Sequence, residues 1–331
     1  MSKFLPALRR RHLVACALIA CACLPAPLPA FAQARAWTPS RPVTIVVPFT
    51  TGASNDTLAR MLAPKLSDLW GQTVIVENKP GANSTIGAAA VARSPGDGHT
   101  LMISTNGVVV APFIMKGLTY SIERDLAPIA SLLFSHIVVV GTTSIEDTNL
   151  AQYITAAGIG KGRSIGVPDP FATLIATRLK LATGKPLNLI PYKGAGQVTN
   201  DLLGGQVDAG IMSVVTASTL MRAGKLRGLA VLAEERSPAH PEIPTADELG
   251  IKGVRTPLWV SVFAAGTTPA PVQQQIHRDL RQVMSDPTVQ AKVRDMGAVL
   301  SKESLEEFRD RYHRDIEETR QLVKAAGLTP E

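Results

Sequence analysis

Cysteine is nearly absent from this chain, and its three cysteines, at positions 16, 21 and 23, all lie near the N-terminus. A chain cut after Ala34 would contain none, which excludes a cysteine nucleophile, a thiolate zinc site and an iron–sulfur cluster and suits an oxidising compartment. The sequence also lacks a phosphate-binding loop and a G-x-S-x-G nucleophile elbow, and its histidines show no metal-ligand spacing. We therefore expect no cofactor, no metal and no catalytic centre.

Long hydrophobic runs are also missing. The apolar stretch Leu13–Leu24 follows a basic region and is broken by prolines, well short of the roughly 20 residues that a membrane span needs. This pattern predicts an export signal over residues 1–34, cleaved after Ala32 or Ala34, and therefore a periplasmic protein. The short sequence "LIAC" leaves one alternative open, a lipoprotein anchored through Cys21.

Charge of one sign is not in large excess. The formal charge of +7 falls to +3 once the signal is removed, because four basic and no acidic residues precede Arg35. Such a mildly basic chain does not match a nucleic-acid binder. The remaining chain, about 297 residues long, exceeds what one core usually holds, so we expect two domains.

Strand and helix patterns alternate along the chain. Predicted strands at 43–47, 74–77 and 100–104, with helices between them, indicate a parallel sheet with right-handed crossovers. The pattern restarts after an apolar strand at 137–140 and forms a second unit. A strand at 258–264 then precedes three helical stretches with no strand between them.

Three helices alone cannot form a third α/β unit, so we expect them to return to the first. The predicted division is domain 1 over 35–140, domain 2 over 141–255 and a return to domain 1 over 256–331. The two crossings, near residues 140 and 256, would form a hinge.

The loop "FTTGASN", residues 49–55, follows the first strand. Loops at the carboxyl ends of parallel strands are where open α/β sheets bind ligands, and the next helix would add free amides and a positive dipole end. The alternative is local: Ser54 or Asn55 caps the helix, and Asp56 complements its dipole. The loops "STNG", "GVPDPF" and "YKGAGQ" recur at equivalent places, and Asp169 in the second of them is typical of a helix cap.

Several blocks of the sequence resemble one family, the periplasmic substrate-binding proteins of tripartite tricarboxylate transporters, often called the Bug family. They stand in family order over nearly the whole mature chain: "RPVTIVVPFTTGASNDTLARML", "GQTVIVENKPGANSTIGAAAVA", "PGDGHTL", "PYKGAGQVTNDLLGGQVD", "AGKLRGLAV", "EIPTADELG" and "AAGTTPAPV". The resemblance implies a two-domain periplasmic-binding-protein (Venus-flytrap) fold of the α/β class, type II-like.

The resemblance also implies a ligand site. In the family, backbone amides and ordered water in the first loop hold a ligand carboxylate, and the third loop lines the same cleft. Carried over, these roles fall on Phe49, Thr50, Thr51, Gly52, Ala53, Ser54 and Asn55, and on Ser104 and Thr105. An amide nest of this kind needs no arginine clamp, and the loop contains no arginine.

Two departures from the family pattern bear on the ligand. Ala53 stands where a second glycine is common, which narrows the permitted backbone angles. In domain 2, "IGVPDPFAT" over residues 165–173 replaces a polar segment, and its prolines remove two amide donors. In this segment we expect Val167 to line the ligand site. We hypothesise that Asp169 pairs with a ligand amine and Phe171 stacks on a ring, favouring an amino acid or an aromatic carboxylate over a tricarboxylate.

The sequence thus predicts a monomeric binding protein, not an enzyme, that captures a small carboxylated metabolite for membrane transporter subunits. One alternative is the ligand-binding subunit of a sensory system. A hydrolase on the same scaffold is a second alternative, against which we count the absence of a recognisable nucleophile–base pair.

Overall fold

The computed structural model describes residues 37–159, 162–192, 194–325 and 327. The predicted signal segment 1–34, including Cys21, lies outside the described residues, as does the side chain of Ser54. From Trp37 onward, the described residues form one compact unit. Within its described part, no helix is both long enough and apolar enough to span a membrane.

Strands and helices alternate through the described chain. The strands are β1 (Val43–Val47), β2 (Val74–Asn78), β3 (Thr100–Thr105), β4 (Leu126–Ser135), β5 (Ile137–Thr142), β6 (Arg163–Val167), β7 (Leu187–Pro191), β8 (Ala209–Ser213), β9 (Leu226–Val231), β10 (Leu258–Ala265) and β11 (Val299–Leu300). The helices are α1 (Ser54–Trp70), α2 (Thr85–Ala92), α3 (Gly107–Ile114), α4 (Leu150–Ala157), α5 (Pro170–Thr183), α6 (Ala195–Leu203), α7 (Val214–Arg222), α8 (Ala270–Met284), α9 (Pro287–Asp295) and α10 (Leu305–Ala325). The predicted α/β class is confirmed.

The strands form two sheets. The first has the order β11-β4-β10-β3-β1-β2 and the second the order β7-β6-β8-β5-β9. In each sheet three strands are parallel, as predicted: β1, β2 and β3 in the first, and β6, β7 and β8 in the second. Both sheets also contain antiparallel strands, which the alternation did not predict, because β10 and β5 each arrive from the other sheet and run antiparallel to their neighbours.

The chain passes between the sheets twice. β4 ends at Ser135 and β5 begins at Ile137, so His136 joins the two sheets, and the return runs from the end of β9 to the start of β10. The predicted boundary at 140/141 therefore falls inside β5. We propose to place this boundary at residue 136, and the rest of the predicted division stays a prediction.

Two strands were not expected from the sequence. β4, with the sequence LAPIASLLFS, is buried along almost its whole length, so its sequence shows no alternation of polar and apolar residues. Pro128 and the scarcity of β-branched residues also make it untypical of a strand. β11, which is only two residues long, lies between α9 and α10, so the expectation of no strand between the last helices is wrong.

The last helices cover the first sheet. In α10, Phe308, Tyr312 and Ile316 are buried in one cluster with Trp259 and Phe263 of β10. This apolar stripe at helical spacing was visible in the sequence. We call the first sheet with its helices the first lobe, and the second sheet with α4 to α7 the second lobe.

Candidate functional site

A cleft of about 960 Å³ lies between the two sheets. The segments that follow β1, β3, β6, β7 and β8 all contribute to its lining, so the carboxyl ends of parallel strands from both lobes meet there. The volume is near the upper end of the range for small-molecule sites, which leaves space for a small metabolite and ordered water. Asp169 is the only charged residue among the described lining residues.

The first loop supplies four of the predicted residues to the cleft: Phe49, Thr50, Ala53 and Asn55. The alternative that Ser54 or Asn55 occupies the cap position of α1 is wrong, because Ala53 occupies it and no described side chain accepts a cap hydrogen bond there. Ala53 has φ −64° and ψ 157°, so this departure from glycine causes no strain. The amino end of α1 is therefore left for an anion, as the ligand-loop interpretation requires.

Thr51 and Gly52 are not part of the lining. Gly52 has a positive φ of 86°, and a Cβ atom there would meet nothing within 4 Å, so the turn requires glycine for its backbone angle and not for close approach. Its amide donates to Oδ2 of Asp56 at 2.8 Å, and the Thr51 hydroxyl lies 3.2 Å from Oδ1 of Asn78. The expectation that both residues surround a ligand anion is thus corrected: the Gly52 amide and the Thr51 hydroxyl instead make hydrogen bonds to Asp56 and Asn78 that fix the loop.

Asp56 is the centre of that support. It is 1% exposed and accepts hydrogen bonds from Nε of Arg60 at 3.0 Å and from Nδ2 of Asn78 at 2.9 Å, besides the Gly52 amide. The Arg60 hydrogen bond, followed by that from Gly52, lowers the pKa of Asp56 to about 2. The Asn78 amide also donates to the Phe49 carbonyl at 3.0 Å, so β2 holds the loop in place.

The third loop supplies Thr105 but not Ser104. Thr105 lines the cleft, whereas Ser104 is fully buried and its Oγ has no hydrogen-bond partner among the described residues. The assignment of Ser104 to the ligand site is therefore corrected. Successive side chains of a strand point to opposite faces, so these two neighbours cannot both line the cleft from one face of β3.

The second-lobe residues Val167, Asp169 and Phe171 all line the cleft. Oδ1 of Asp169 accepts the amide of Ala172 at 2.8 Å, which confirms the predicted cap of α5. Asp169 is exposed to the cleft, yet the surrounding walls withdraw it from bulk water, and this desolvation raises its pKa against the opposing hydrogen bonds from Ala172 and Phe171. Its carboxylate thus serves as the cap and also faces the cleft.

Further polar residues of the cleft were not predicted. Asn83 and Ser84 belong to the loop after β2, Ser135 ends β4, and Tyr192 follows β7 directly. The position of Tyr192 at the carboxyl end of a parallel strand was a usable signal, since the loop "YKGAGQ" had been singled out. Ser135 gave no signal, because β4 was not recognised.

A chain of hydrogen bonds between Ser218, His240 and Glu242 lies elsewhere in the second lobe. Ser218 Oγ lies 2.7 Å from His240 Nε2, and His240 Nδ1 lies 2.8 Å from Glu242 Oε1, so the argument that no nucleophile–base pair exists is wrong. The spacing of 22 residues follows no sequence rule. Ser218 lies in the middle of α7, where its own backbone amide is used within the helix and is not free to stabilise an oxyanion, and it is not among the described residues that line the cleft.

Comparisons with known proteins agree with this architecture. The family model described as "Tripartite tricarboxylate transporter family receptor" matches residues 58–328. Protein BugT of Bordetella pertussis is 33% identical over 256 residues, which cover 76% of this chain and 78% of BugT. The structure of periplasmic binding protein BugD is similar with a TM-score of 0.75 and 30% identity, covering 88% of this chain and all of BugD.

Two similar structures contain ligands. An R. palustris protein solved with adipate has a TM-score of 0.79 and 29% identity, covering 88% of this chain and 99% of its own. MatC from Rhodopseudomonas palustris, solved with bound malate, has a TM-score of 0.74 and 26% identity over 86% of this chain and 99% of MatC. The predicted Venus-flytrap fold is confirmed, and the chain belongs to the tripartite tricarboxylate transporter receptors, the Bug-type solute-binding proteins.

Proposed function

We propose that this protein captures a small carboxylated metabolite in the cleft and presents it to the membrane subunits of a tripartite tricarboxylate-type transporter. The candidate ligands are dicarboxylates, amino acids and aromatic carboxylates. One observation carries the proposal: the uncapped amino end of α1, with Thr50, Ala53 and Asn55, lines the cleft. Free amides and the helix dipole favour a carboxylate there, and two similar proteins hold adipate and malate.

Closure of the lobes would couple binding to delivery. A ligand that contacts both lobes has more contacts in a closed form than in an open one, so it shifts the population toward closure by that difference in affinity. The transporter subunits would then recognise the closed form. We propose that this takes place in the periplasm, and the intact mass of the exported protein would distinguish cleavage after Ala32 or Ala34 from a lipid-modified Cys21.

The test is a thermal-shift screen of protein recovered from the periplasm against succinate, malate, adipate, citrate, amino acids and aromatic acids. A ligand at 100 times its dissociation constant stabilises the folded state by about 2.7 kcal/mol, enough for a clear shift. Ligand recovered unchanged after incubation would support a binder, while turnover would contradict it. If no carboxylate shifts the transition, the proposal is wrong.

The variant Ala53→Asp tests the site itself. Aspartate is a favoured N-cap, so it should stabilise the free protein by about 1 kcal/mol while placing its own carboxylate where the ligand anion would bind. We expect this variant to lose the ligand-induced shift. Ala53→Gly, a neutral change at the same position, should keep it, and equal binding by both variants would exclude the α1 terminus as the anion site.

A further inference from the structure

The side chain of Asn55, in the first turn of α1, faces the cleft without a partner. Asn55 is 6% exposed and lines the cleft, and no hydrogen bond joins its side-chain amide to any other residue that the structure describes. A buried polar side chain is normally paired, and one that is left unpaired costs stability. An unpaired amide in the wall of a cleft is therefore a group that a ligand can satisfy.

Asn55 lies where α1 meets the first sheet. Leu58, one turn further along α1, is buried in one cluster with Leu101 and Ile103 of β3. Residues three apart share a face of a helix and alternate residues share a face of a strand, so Asn55 and Thr105 lie on the facing surfaces of α1 and β3, at the end nearest the cleft. Both residues line the cleft.

Two kinds of donor lie at the same end. The Thr57 amide is the first that is used within α1, donating to the Ala53 carbonyl at 2.9 Å, so the amides before it in α1 have no carbonyl acceptor in the helix. The Thr105 hydroxyl accepts from the Gly107 amide at 3.4 Å, which leaves its own hydrogen to donate. An ionised carboxylate only accepts hydrogen bonds, so these donors suit it.

Asn55 differs from these donors because its side chain also contains an acceptor. The NH2 group can donate to a carboxylate oxygen, but an ionised carboxylate has no hydrogen to give to the amide Oδ1. Once a ligand has displaced water from the cleft, that oxygen needs a donor from the ligand itself. Side-chain amides pair with a neighbouring donor and acceptor in this bidentate way elsewhere, as asparagine does on adenine.

A hydroxyl group is the donor that this position favours. The amino end of a helix carries a partial positive charge, which stabilises an anion and opposes a cation. An ammonium group beside the carboxylate would lie at that positive end, whereas a hydroxyl group donates a hydrogen bond without carrying a charge. The donor is therefore expected to be a hydroxyl on the carbon next to the carboxylate.

We propose that Asn55 is a specificity-determining residue of the cleft and that the ligand is a 2-hydroxy acid. The carboxylate binds the free amides of α1 and the Thr105 hydroxyl, while the Asn55 amide bridges the carboxylate and the hydroxyl on the next carbon. This inference rests on the proposed function and narrows its ligand class to a dicarboxylate or an aromatic carboxylate that bears this hydroxyl.

Calorimetric titration with matched acids tests the inference: succinate against malate, glutarate against 2-hydroxyglutarate, and 3-phenylpropionate against 3-phenyllactate. Within a pair that binds, we expect the better enantiomer of the hydroxy acid to bind about tenfold more tightly, because the plain acid leaves the Asn55 oxygen unpaired. 3-Hydroxyglutarate, whose hydroxyl is one carbon further away, should lack this advantage. If the plain acid binds as tightly as its 2-hydroxy partner, the inference is overturned while the proposed function stands.

Aspartate and glutamate distinguish a hydroxyl from an ammonium group at the same carbon. We expect both to bind less tightly than malate and 2-hydroxyglutarate, since the helix dipole opposes a cation at this position. Tighter binding of the amino acids would overturn the assignment to a hydroxyl. If none of these acids binds, the proposed function fails as well.

Two variants separate Asn55 from the donors around it. Asn55→Ala removes the side-chain amide and raises helix propensity, so α1 should persist while the preference for the hydroxy acid falls about tenfold. Thr105→Val removes a donor to the carboxylate, so it should weaken the plain acid and the hydroxy acid about equally and leave the preference unchanged. Equal weakening of both acids by Asn55→Ala would show a merely structural role and overturn the inference.

Asn83→Gly is the matched control. It removes another asparagine side chain from the cleft lining, and glycine adopts the positive φ of 52° at that position without strain. The ratio of the two affinities should therefore persist in this variant. Its loss in Asn83→Gly, or its survival in Asn55→Ala, would overturn the assignment.

Discussion

Two aspartates beside the cleft show how surroundings set the role of one side chain. Asp56 is enclosed by donors from Gly52, Arg60 and Asn78, and these lower its pKa. Asp169 accepts from its own helix end and faces a cleft without basic groups among the described lining residues, and desolvation raises its pKa. The first aspartate supports a loop, while the second remains available for a ligand.

Asp56→Asn should lower the free energy of unfolding by about 2 kcal/mol at neutral pH, because charge-assisted hydrogen bonds to a buried carboxylate are lost. The folded pKa of about 2 lies below the ordinary value of 3.8, so this stabilisation is complete above about pH 4 and is lost as the pH falls toward 2. Urea unfolding of both proteins between pH 2 and 7 should show the difference shrinking with acid. Asp68→Asn, at an exposed position of α1, should change stability little, and an equal loss there would contradict this account.

Among the short elements, the 3-10 turn before α2 is unusual. Ala82, Asn83 and Ser84 have positive φ values of 44°, 52° and 73°, and two of them line the cleft. A left-handed conformation costs roughly 1–2 kcal/mol for a residue with a Cβ atom, least for asparagine. Strain of this kind persists where the surrounding structure enforces it, and such sites often bind ligands.

Ala82→Gly should therefore stabilise the protein by about 1 kcal/mol, because glycine adopts positive φ without strain. The matched control is Ala89→Gly within α2, where the same substitution should destabilise the protein by about 1 kcal/mol. Thermal unfolding of the two variants should show shifts of opposite sign. A loss of stability in both would mean that the turn at Ala82 is not strained.

At the scale of the whole molecule, the lobes are joined by packing as well as by the chain crossings. Leu174 of α5, in the second lobe, is buried with Val110 of α3 and Val323 of α10, both in the first. Beside them, Nη1 of Arg178 donates to the Arg255 carbonyl at 3.0 Å, on the return crossing. This cross-lobe cluster (Val110, Leu174 and Val323) ties α5, whose first residues line the cleft, to the first lobe.

Leu174→Ala should lower the free energy of unfolding by about 2–4 kcal/mol, the usual cost of a cavity at a buried leucine. Because the cluster joins the lobes, calorimetry should also show a broader transition as they unfold less cooperatively. Leu181→Ala, on the exposed side of the same helix with 53% of the residue accessible, is the control. If both variants unfold as the wild type does, the cluster does not couple the lobes.

Much of this protein could be predicted from its sequence because the relevant forces are local. Three sequence patterns each reflect the backbone angles or the burial of residues close together in the chain: the β-branched run of β1, the glycine turn at Gly52 and the apolar stripe of α10. The cap at Asp169 is local as well, since the side chain meets an amide three residues later. These signals, with the family resemblance, predicted the α/β class and the first and second-lobe loops of the cleft.

Contacts between distant residues were decided only by the tertiary structure. The strand β4 carries no local pattern because it is buried on both faces. Ser104 is buried, whereas its neighbour Thr105 lines the cleft. The Tyr192 hydroxyl donates its hydrogen to Asp201, a partner that only the folded second lobe supplies. Pairing, burial and hydrogen-bond direction depend on which segments meet. The sequence by itself thus determined the elements and the family, and folding decided which of their polar groups face the ligand.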